Sequence, residues 1–184
     1  MLLSADIKGM GAVSGLGEYH PGATIVLSAV PSEGWLFKQF IIDGLVLKSN
    51  PYEFIAESHD INIECDFYVS VEDYLRGSVE FDLPDRALNV IRIDRGIPPS
   101  VDVNDVDPII LELCYADVLM WITTTPSTVQ GAKDSDNGWS HQEESKTLSV
   151  NDKRRLENRA SAIYRKYNDS KGLMAKTVTI INLW

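Results

Sequence analysis

The sequence predicts an α+β protein: a small N-terminal all-β domain, then a helical domain of about four helices with a terminal strand-like tail. Two observations predict this class. Residues 1–69 contain short runs of β-branched and aromatic residues separated by glycines, which is typical of short consecutive strands. Residues 70–184 contain apolar residues at helical spacing between capping signals. The predicted domains are therefore residues 1–69 and 70–184.

The first domain is predicted to be a meander of short strands. The pair Asp43–Gly44 fits a two-residue hairpin turn, and alternation is clearest from Ile61 to Phe67. The stretch GMGAVSGLG suggests a phosphate-binding loop, but no Gly-Lys-Ser/Thr follows and no helix opens after it. We therefore interpret it as a glycine-tolerant hairpin. The predicted strands are residues 2–8, 23–30, 35–42, 45–48, 52–56 and 60–69.

Helix start signals mark the second domain. Ser70 with Asp73 forms a capping-box-like start, and a second helix is predicted over residues 84–96. Ser149 with Asp152 predicts the cap of the last helix. The buried stripe of that helix is predicted to be Leu156, Ala160, Ile163, Tyr164 and Tyr167.

The longest apolar segment of the chain, residues 107–125, is predicted to be the central helix. Its acids Glu112 and Asp117, together with three threonines, argue against a membrane span. Helical spacing leaves little of its circumference polar, so we expect neighbours on most sides. Leu113 and Trp121 are predicted to lie in the core.

The polar stretch 126–148 is predicted to be a long loop. Asp134, Asp136 and Gly138 resemble part of a calcium-binding loop, but the final glutamate is not in register. The acidic residues of segment 102–107 also resemble such a loop, and we interpret them as a turn and a helix cap. We predict no metal site, and whether the loop binds an ion is left open. The two cysteines, Cys65 and Cys114, lack motif spacing and are predicted to be buried free thiols.

Charge is distributed unevenly along the chain. The formal net charge is −10, yet residues 149–184 hold eight basic groups against three acidic ones. An acidic body disfavours nucleic-acid binding and permits head-to-tail contact between copies. His20, His59 and His141 are not in ligand-like or triad-like spacing, and no nucleophile motif occurs. We therefore expect no catalytic residue and no cofactor.

Three segments of the first domain carry a family resemblance: GAVSGLGEYHPGATIVLSAVPSEGWLFKQFIIDG, SNPYEF and DINIECDF. Their order resembles the divergent internalin B-repeat-like domain of bacterial surface proteins. Phe40 stands where that family usually has tryptophan. The resemblance implies a binding or spacer module without catalytic residues.

Several segments of the second domain carry another resemblance, among them VEDYLRG, DRALNVIRIDRGI, LCYADVLMW and NDKRRLENRASAIYRKYND. They are similar to proteins of Bacteroidetes phages and prophages and, more distantly, to the small helical head–tail connector family of tailed phages. That family implies rings below the portal, with subunits side by side and extended arms that reach neighbours.

These observations lead us to expect a non-enzymatic phage or prophage structural protein, a head–tail connector or head-completion subunit. A bacterial surface or adhesion-type binding module is the alternative. Expected partners are copies of the chain and other virion proteins, with neither sequence-specific nucleic acid nor a membrane. The start MLLSADIKG is too polar for a signal peptide, so we expect the host cytoplasm and then the virion.

The expected partner interface includes a C-terminal arm. Residues 177–181 have strand propensity and need an edge to pair with, either in the chain's own β domain or in another copy. The predicted interface residues are Trp139, Arg154, Arg155, Ile180, Ile181 and Trp184.

Overall fold

The chain forms two compact units. A computed structural model describes residues 1–124, 133–136, 139–142 and 148–173. Residues 1–77 and 100–106 make the first unit, and residues 78–99 with the described residues from Asp107 onward make the second. Strands fill the N-terminal part and helices follow, so the predicted α+β class is confirmed.

Two sheets build the first unit. One has five strands in the order β3-β1-β8-β5-β6, and the other has three in the order β2-β4-β7. The strands are β1 (Leu2–Lys8), β2 (Gly11–Ser14), β3 (Gly17–Glu18), β4 (Thr24–Pro31), β5 (Leu36–Ile42), β6 (Leu45–Leu47), β7 (Tyr52–Ile55) and β8 (Ile61–Tyr68). Each of the six predicted runs contains a strand.

The strand order corrects the predicted meander. β1 and β8 pair in parallel, with Leu3 opposite Ile61 and Lys8 opposite Asp66. This pairing joins segments nearly sixty residues apart in sequence, so no local turn signal could have indicated it. The turn at Asp43–Gly44 is confirmed: Ile42 pairs with Leu45, and both turn residues have positive φ.

The core of the first unit lies between the two sheets, where side chains alternate between core and solvent. Phe40 is completely buried, and its ring centroid lies 4.8 Å from that of Phe37. The buried core residues come from both sheets: Leu3, Ile25, Leu27, Ala29, Phe40, Ala56, Ile61, Ile63, Cys65 and Phe67.

The glycine-rich stretch is not the hairpin that we predicted. It forms β2, which pairs with β4, and leads into β3, which pairs with β1. A Cβ on Gly11 would lie 2.4 Å from the Phe67 ring. Gly15 has a φ of +91°, and its Cβ would lie 2.2 Å from the Val26 carbonyl oxygen. These glycines are therefore required by close packing within the β unit.

The first unit extends beyond the strands. Ser70 Oγ accepts a hydrogen bond from Asp73 N at 3.1 Å, which confirms the predicted cap of α1 (Val71–Gly77). Residues 100–106 return to the sheet, where Val103 N donates to Val69 O at 2.9 Å. Lys38 Nζ then lies 2.6 Å from Asp102. The compact unit thus includes two segments after Val69, while the boundary at 69/70 stays a prediction about independent folding.

The central helix of the second unit is α3 (Pro108–Thr124), which packs against α2 (Asp85–Asp94) and α4 (Val150–Lys166). Asp107 caps α3, because its Oδ1 accepts a hydrogen bond from Ile109 N at 2.8 Å. Leu113 is buried as predicted, but Trp121 is only half-buried, so its placement in the core was wrong. Apolar composition placed Trp121 on a hydrophobic helix, but it does not determine which positions of that helix are covered by neighbouring elements.

α4 begins at a complete capping box formed by Ser149 and Asp152, as predicted. Its predicted stripe packs on α3: Ala160, Ile163 and Tyr164 are buried, and Leu156 and Tyr167 are partly buried. A short helix, α5 (Ser170–Leu173), follows. Inside the predicted loop 126–148, β9 (Lys133–Asp136) and β10 (Trp139–Gln142) pair antiparallel, so part of that segment is a two-stranded ribbon.

No helix among the described residues combines the length and the continuous apolar character that crossing a bilayer requires.

Both cysteines are buried free thiols, as predicted. Burial raises the pKa of the Cys65 thiol to about 11, with a smaller contribution from the Asp66 carboxylate. Burial likewise raises the pKa of the Cys114 thiol to about 11, with a smaller contribution from Asp117. The thiolate is the reactive form, so a raised pKa suppresses reaction at neutral pH.

We expect no maleimide labelling of the native protein at about pH 8 and two labels in denaturant, counted by mass spectrometry. Rapid native labelling would contradict the burial of these thiols.

Candidate functional site

Charged side chains define two neighbouring features of the helical unit. The first, which we call the charged centre, is a buried cluster that joins four helical elements. The second, the α3–α4 groove, is an open depression between the two longest helices. The charged centre consists of Arg95, Asp117, Tyr164, Asp169 and Lys171. The groove is lined by Glu112, Tyr115, Arg159, Ala162, Ile163 and Lys166.

Asp117 is the middle of the charged centre. Its side chain is only 5% exposed, although it sits on the most apolar helix of the chain. Arg95 binds both of its oxygens, with Nε at 2.6 Å and Nη2 at 3.0 Å. Tyr164 donates its hydroxyl at 2.6 Å, and Lys171 Nζ lies at 3.1 Å. The carboxylate oxygens therefore accept four donated hydrogen bonds.

A second acid completes the cluster. Arg95 Nη1 lies 2.5 Å from Asp169, at the elbow between α4 and α5. Asp169 Oδ1 also accepts the backbone N–H of Lys171 at 2.9 Å. Two acids thus face two cations, and Asp94 adds an exposed contact to Lys171 at 3.3 Å. The charges balance, which is what a buried ionic cluster requires.

The pKa shifts follow from this geometry. Burial lowers the pKa of Arg95, but hydrogen bonds to Asp117 and Asp169 outweigh that effect and raise it above its ordinary value. Burial and the hydrogen bond to Asp117 raise the pKa of Tyr164, which stays protonated. Burial opposes ionisation of Asp169, yet the hydrogen bond from Arg95 leaves the pKa of Asp169 below its usual range. Near neutral pH Arg95 and Asp169 therefore stay charged, and Tyr164 stays neutral.

The charged centre is suited to fixing helices. Asp117 is buried, and both of its oxygens accept hydrogen bonds from side chains of neighbouring segments. Its partners lie just after α2, on α4 and at the α4–α5 elbow, so one carboxylate on α3 connects all of these segments. Ion pairs of this kind set which helix faces meet, because any other packing leaves a buried charge unpaired.

The α3–α4 groove is open to solvent and has a volume of about 420 Å³. The Arg159 guanidinium lies 5.1 Å from the centroid of the Tyr115 ring, within cation–π range. Lys166 lies 2.7 Å from Glu112, and the Tyr167 hydroxyl also donates to that carboxylate. Hydrogen bonds from Lys166 and then Tyr167 lower the pKa of Glu112. Apolar Ala162 and Ile163 lie between these polar groups.

The solvent side of α4 continues the groove as a cationic face, defined by Arg154, Arg155, Arg159, Arg165 and Lys166. All five residues are exposed. Within the described residues, no carboxylate lies within ion-pair distance of the four arginines, whereas Lys166 is paired with Glu112. Asp152 and Glu157 are the acids of this helix. The face therefore offers positive charge to a partner.

The structure places the predicted interface residues as follows. Arg154 and Arg155 lie on the cationic face, and their role in a partner interface stays a prediction. Trp139 lies in β10, but its side chain is outside the described residues. Ile180, Ile181 and Trp184 also lie outside the described residues. The acidic string at 102–107 forms a turn in which Asp102 binds Lys38 and Asn104.

The charged centre was missed by sequence reasoning. One signal was visible, because Asp117 is an acid in an apolar helix and such a residue needs a partner. Nothing in the sequence selected Arg95 or Lys171 as that partner. Within the described residues, no three His, Cys, Asp or Glu side chains come together as metal ligands.

Comparison with known proteins gives one family match. A family model described as the divergent InlB B-repeat domain matches residues 2–69, which are β1 to β8 of the first unit. The β unit is thus similar to that domain, in agreement with the predicted resemblance. Comparison with curated proteins and with solved structures found no match. The phage resemblance of the helical unit stays a prediction.

Proposed function

We propose that the chain is a non-enzymatic protein-binding subunit of a larger assembly. The observation that carries this proposal is the match of residues 2–69 to the InlB B-repeat domain, together with the surface of that unit. The outer face of the three-stranded sheet exposes Val26, Val30 and Ile55. Their direct cross-strand partners are Glu53, Ala12 and Thr24, so this sheet face combines exposed apolar side chains with small and polar ones and is suited to protein contact.

More specifically, we propose a structural protein of a phage or prophage particle, a head–tail connector or head-completion subunit. This role rests on the resemblance of the helical segments to phage and prophage proteins that was predicted from the sequence. Its partners would be other copies of the chain and other virion proteins, first in the host cytoplasm and then in the particle.

A bacterial surface or adhesion module is the second candidate. The family match favours it specifically, because the β unit resembles a domain of bacterial surface proteins. The two functions differ in where the protein accumulates, and this difference makes them separable by experiment.

Fractionation of the native host distinguishes them. After prophage induction, particles are purified on a density gradient and the cell envelope is isolated from the same culture. The phage function predicts this chain in the particle fraction at a fixed ratio to the major capsid protein, measured by quantitative mass spectrometry. Recovery in the envelope fraction, with none in the particles, would refute it and support the surface module. An unrelated cytosolic protein serves as the contamination control.

A further inference from the structure

The cationic face of α4 is a run of like charges along one helix. Arg155 and Arg159 are four residues apart and repel each other along the helix. Arg154 and Arg165 add two more charges, and the face extends over about 18 Å at the rise of an α-helix. Asp152 partly offsets the charge of Arg155, but among the described residues no carboxylate lies within ion-pair distance of these arginines, so positive charge prevails on the face. An anionic partner would offset this charge.

The adjoining groove indicates that this partner is a protein. Tyr115 and Arg159 are residue types that dominate protein–protein binding energy, and here they already contact each other. Ile163 and Ala162 give the groove an apolar floor between its charges. A protein surface with acidic side chains beside small apolar ones would contact both the cationic face and the apolar floor of the α3–α4 groove. The phosphate backbone of a nucleic acid would neutralise the positive charges but would leave the apolar residues Ala162 and Ile163 of the groove uncovered.

The N-terminal β unit of the chain is itself acidic and exposes apolar residues. α4 has six cations and two acids, so the rest of the chain has a net charge of −14. Residues 1–69 hold nine acids and three bases. Seven of those acids are exposed: Asp6, Glu18, Glu33, Asp43, Glu53, Glu57 and Asp60. Exposed apolar residues lie among them, including Ile55 between Glu53 and Glu57.

We propose that the cationic face and the α3–α4 groove of one copy bind the acidic β unit of a second copy. The contact joins two different surfaces, so each copy can bind one neighbour on each side, which produces a ring or an open filament. This inference rests on the proposed assembly function and names its partner and its surfaces. It adds Arg159, Lys166 and Tyr115 to the interface residues Arg154 and Arg155, which the sequence predicted.

Sedimentation velocity of the purified full chain tests the contact. We expect concentration-dependent association at about 0.05 M NaCl that disappears near 1 M, because salt screens exposed charges. The double variant Arg155→Glu/Arg159→Glu should weaken the apparent association constant at least ~10-fold. The control Arg86→Glu/Lys48→Glu makes the same change in net charge at exposed residues that belong neither to α4 nor to the groove, and it should still associate. Circular dichroism confirms that both variants remain folded.

Three outcomes would overturn the contact: a monomer at every concentration in low salt, association that the α4 variant leaves unchanged, or an equal loss of association in the control variant.

Titration with a short random-sequence DNA duplex tests whether the cationic face binds nucleic acid. Salt-sensitive duplex binding that the α4 variant abolishes, without self-association, would assign the face to nucleic acid instead. These results are independent of host fractionation, so a chain absent from particles can still show the contact.

Discussion

Replacing Asp117 with asparagine should lower the free energy of unfolding by about 3 kcal/mol, because it removes the bidentate counter-charge of the buried Arg95 guanidinium and leaves it only Asp169. Arg95 is 10% exposed and cannot recover hydration when its bidentate partner becomes neutral. Lys171 also loses one of its two acids. The measurement is urea unfolding at neutral pH, followed by helical circular dichroism.

The neighbouring variant Asp94→Asn is the matched control. Asp94 also contacts Lys171, but it is 50% exposed, so its loss should change the free energy of unfolding by less than ~0.5 kcal/mol. A double-mutant cycle of Asp117→Asn with Tyr164→Phe should give a coupling energy of about 1 kcal/mol, since the two side chains share a buried hydrogen bond. Equal effects of the two aspartates, or strictly additive losses in the cycle, would show that the charged centre does not act as a unit.

Replacing Phe40 with alanine should destabilise the β unit by about 3–5 kcal/mol. This ring is fully buried in the core between the sheets, so its removal leaves a cavity that the two sheets cannot close by small movements. Phe40→Leu should cost clearly less, because it keeps most of the buried volume. The measurement is chemical unfolding followed by tryptophan fluorescence.

Leu45→Ala provides the control within the same hairpin. Leu45 follows the turn after β5 and is 61% exposed, so its truncation should stay within about 0.5 kcal/mol of the parent. If both alanine variants unfold at the same denaturant concentration, the core does not lie between the two sheets. A preserved midpoint for Phe40→Ala alone would lead to the same conclusion.

The candidate site was only partly predictable, and the reason is the range of the interactions. Arg154 and Arg155 were identified because exposure on a capped helix is a local, periodic property. The charged centre joins Arg95, Asp117 and Asp169 across 74 residues, and sequence spacing says nothing about which distant charges meet. Arg159 and Lys166 were visible as basic residues, but the groove that contains them exists only once α3 packs against α4.

The sequence by itself determined the local structure. Capping signals at Ser70, Asp107 and Ser149 located three helices, since a cap is a contact within a few residues. Glycine and turn chemistry likewise placed the strands and the tight turn at residues 43–44. These features depend on short-range hydrogen bonds and backbone sterics. They are therefore the same in the sequence-based prediction and in the folded chain.

Only the tertiary structure decided which elements meet. It paired β1 with β8 in parallel, returned residues 100–106 to the β unit and left Trp121 half-buried. It also gave Asp117 its partners and so turned an isolated acid in an apolar helix into the centre of a charged cluster. Each of these choices depends on contacts between distant segments, whose free energy comes from shared burial and charge neutralisation. No local pattern encodes that choice.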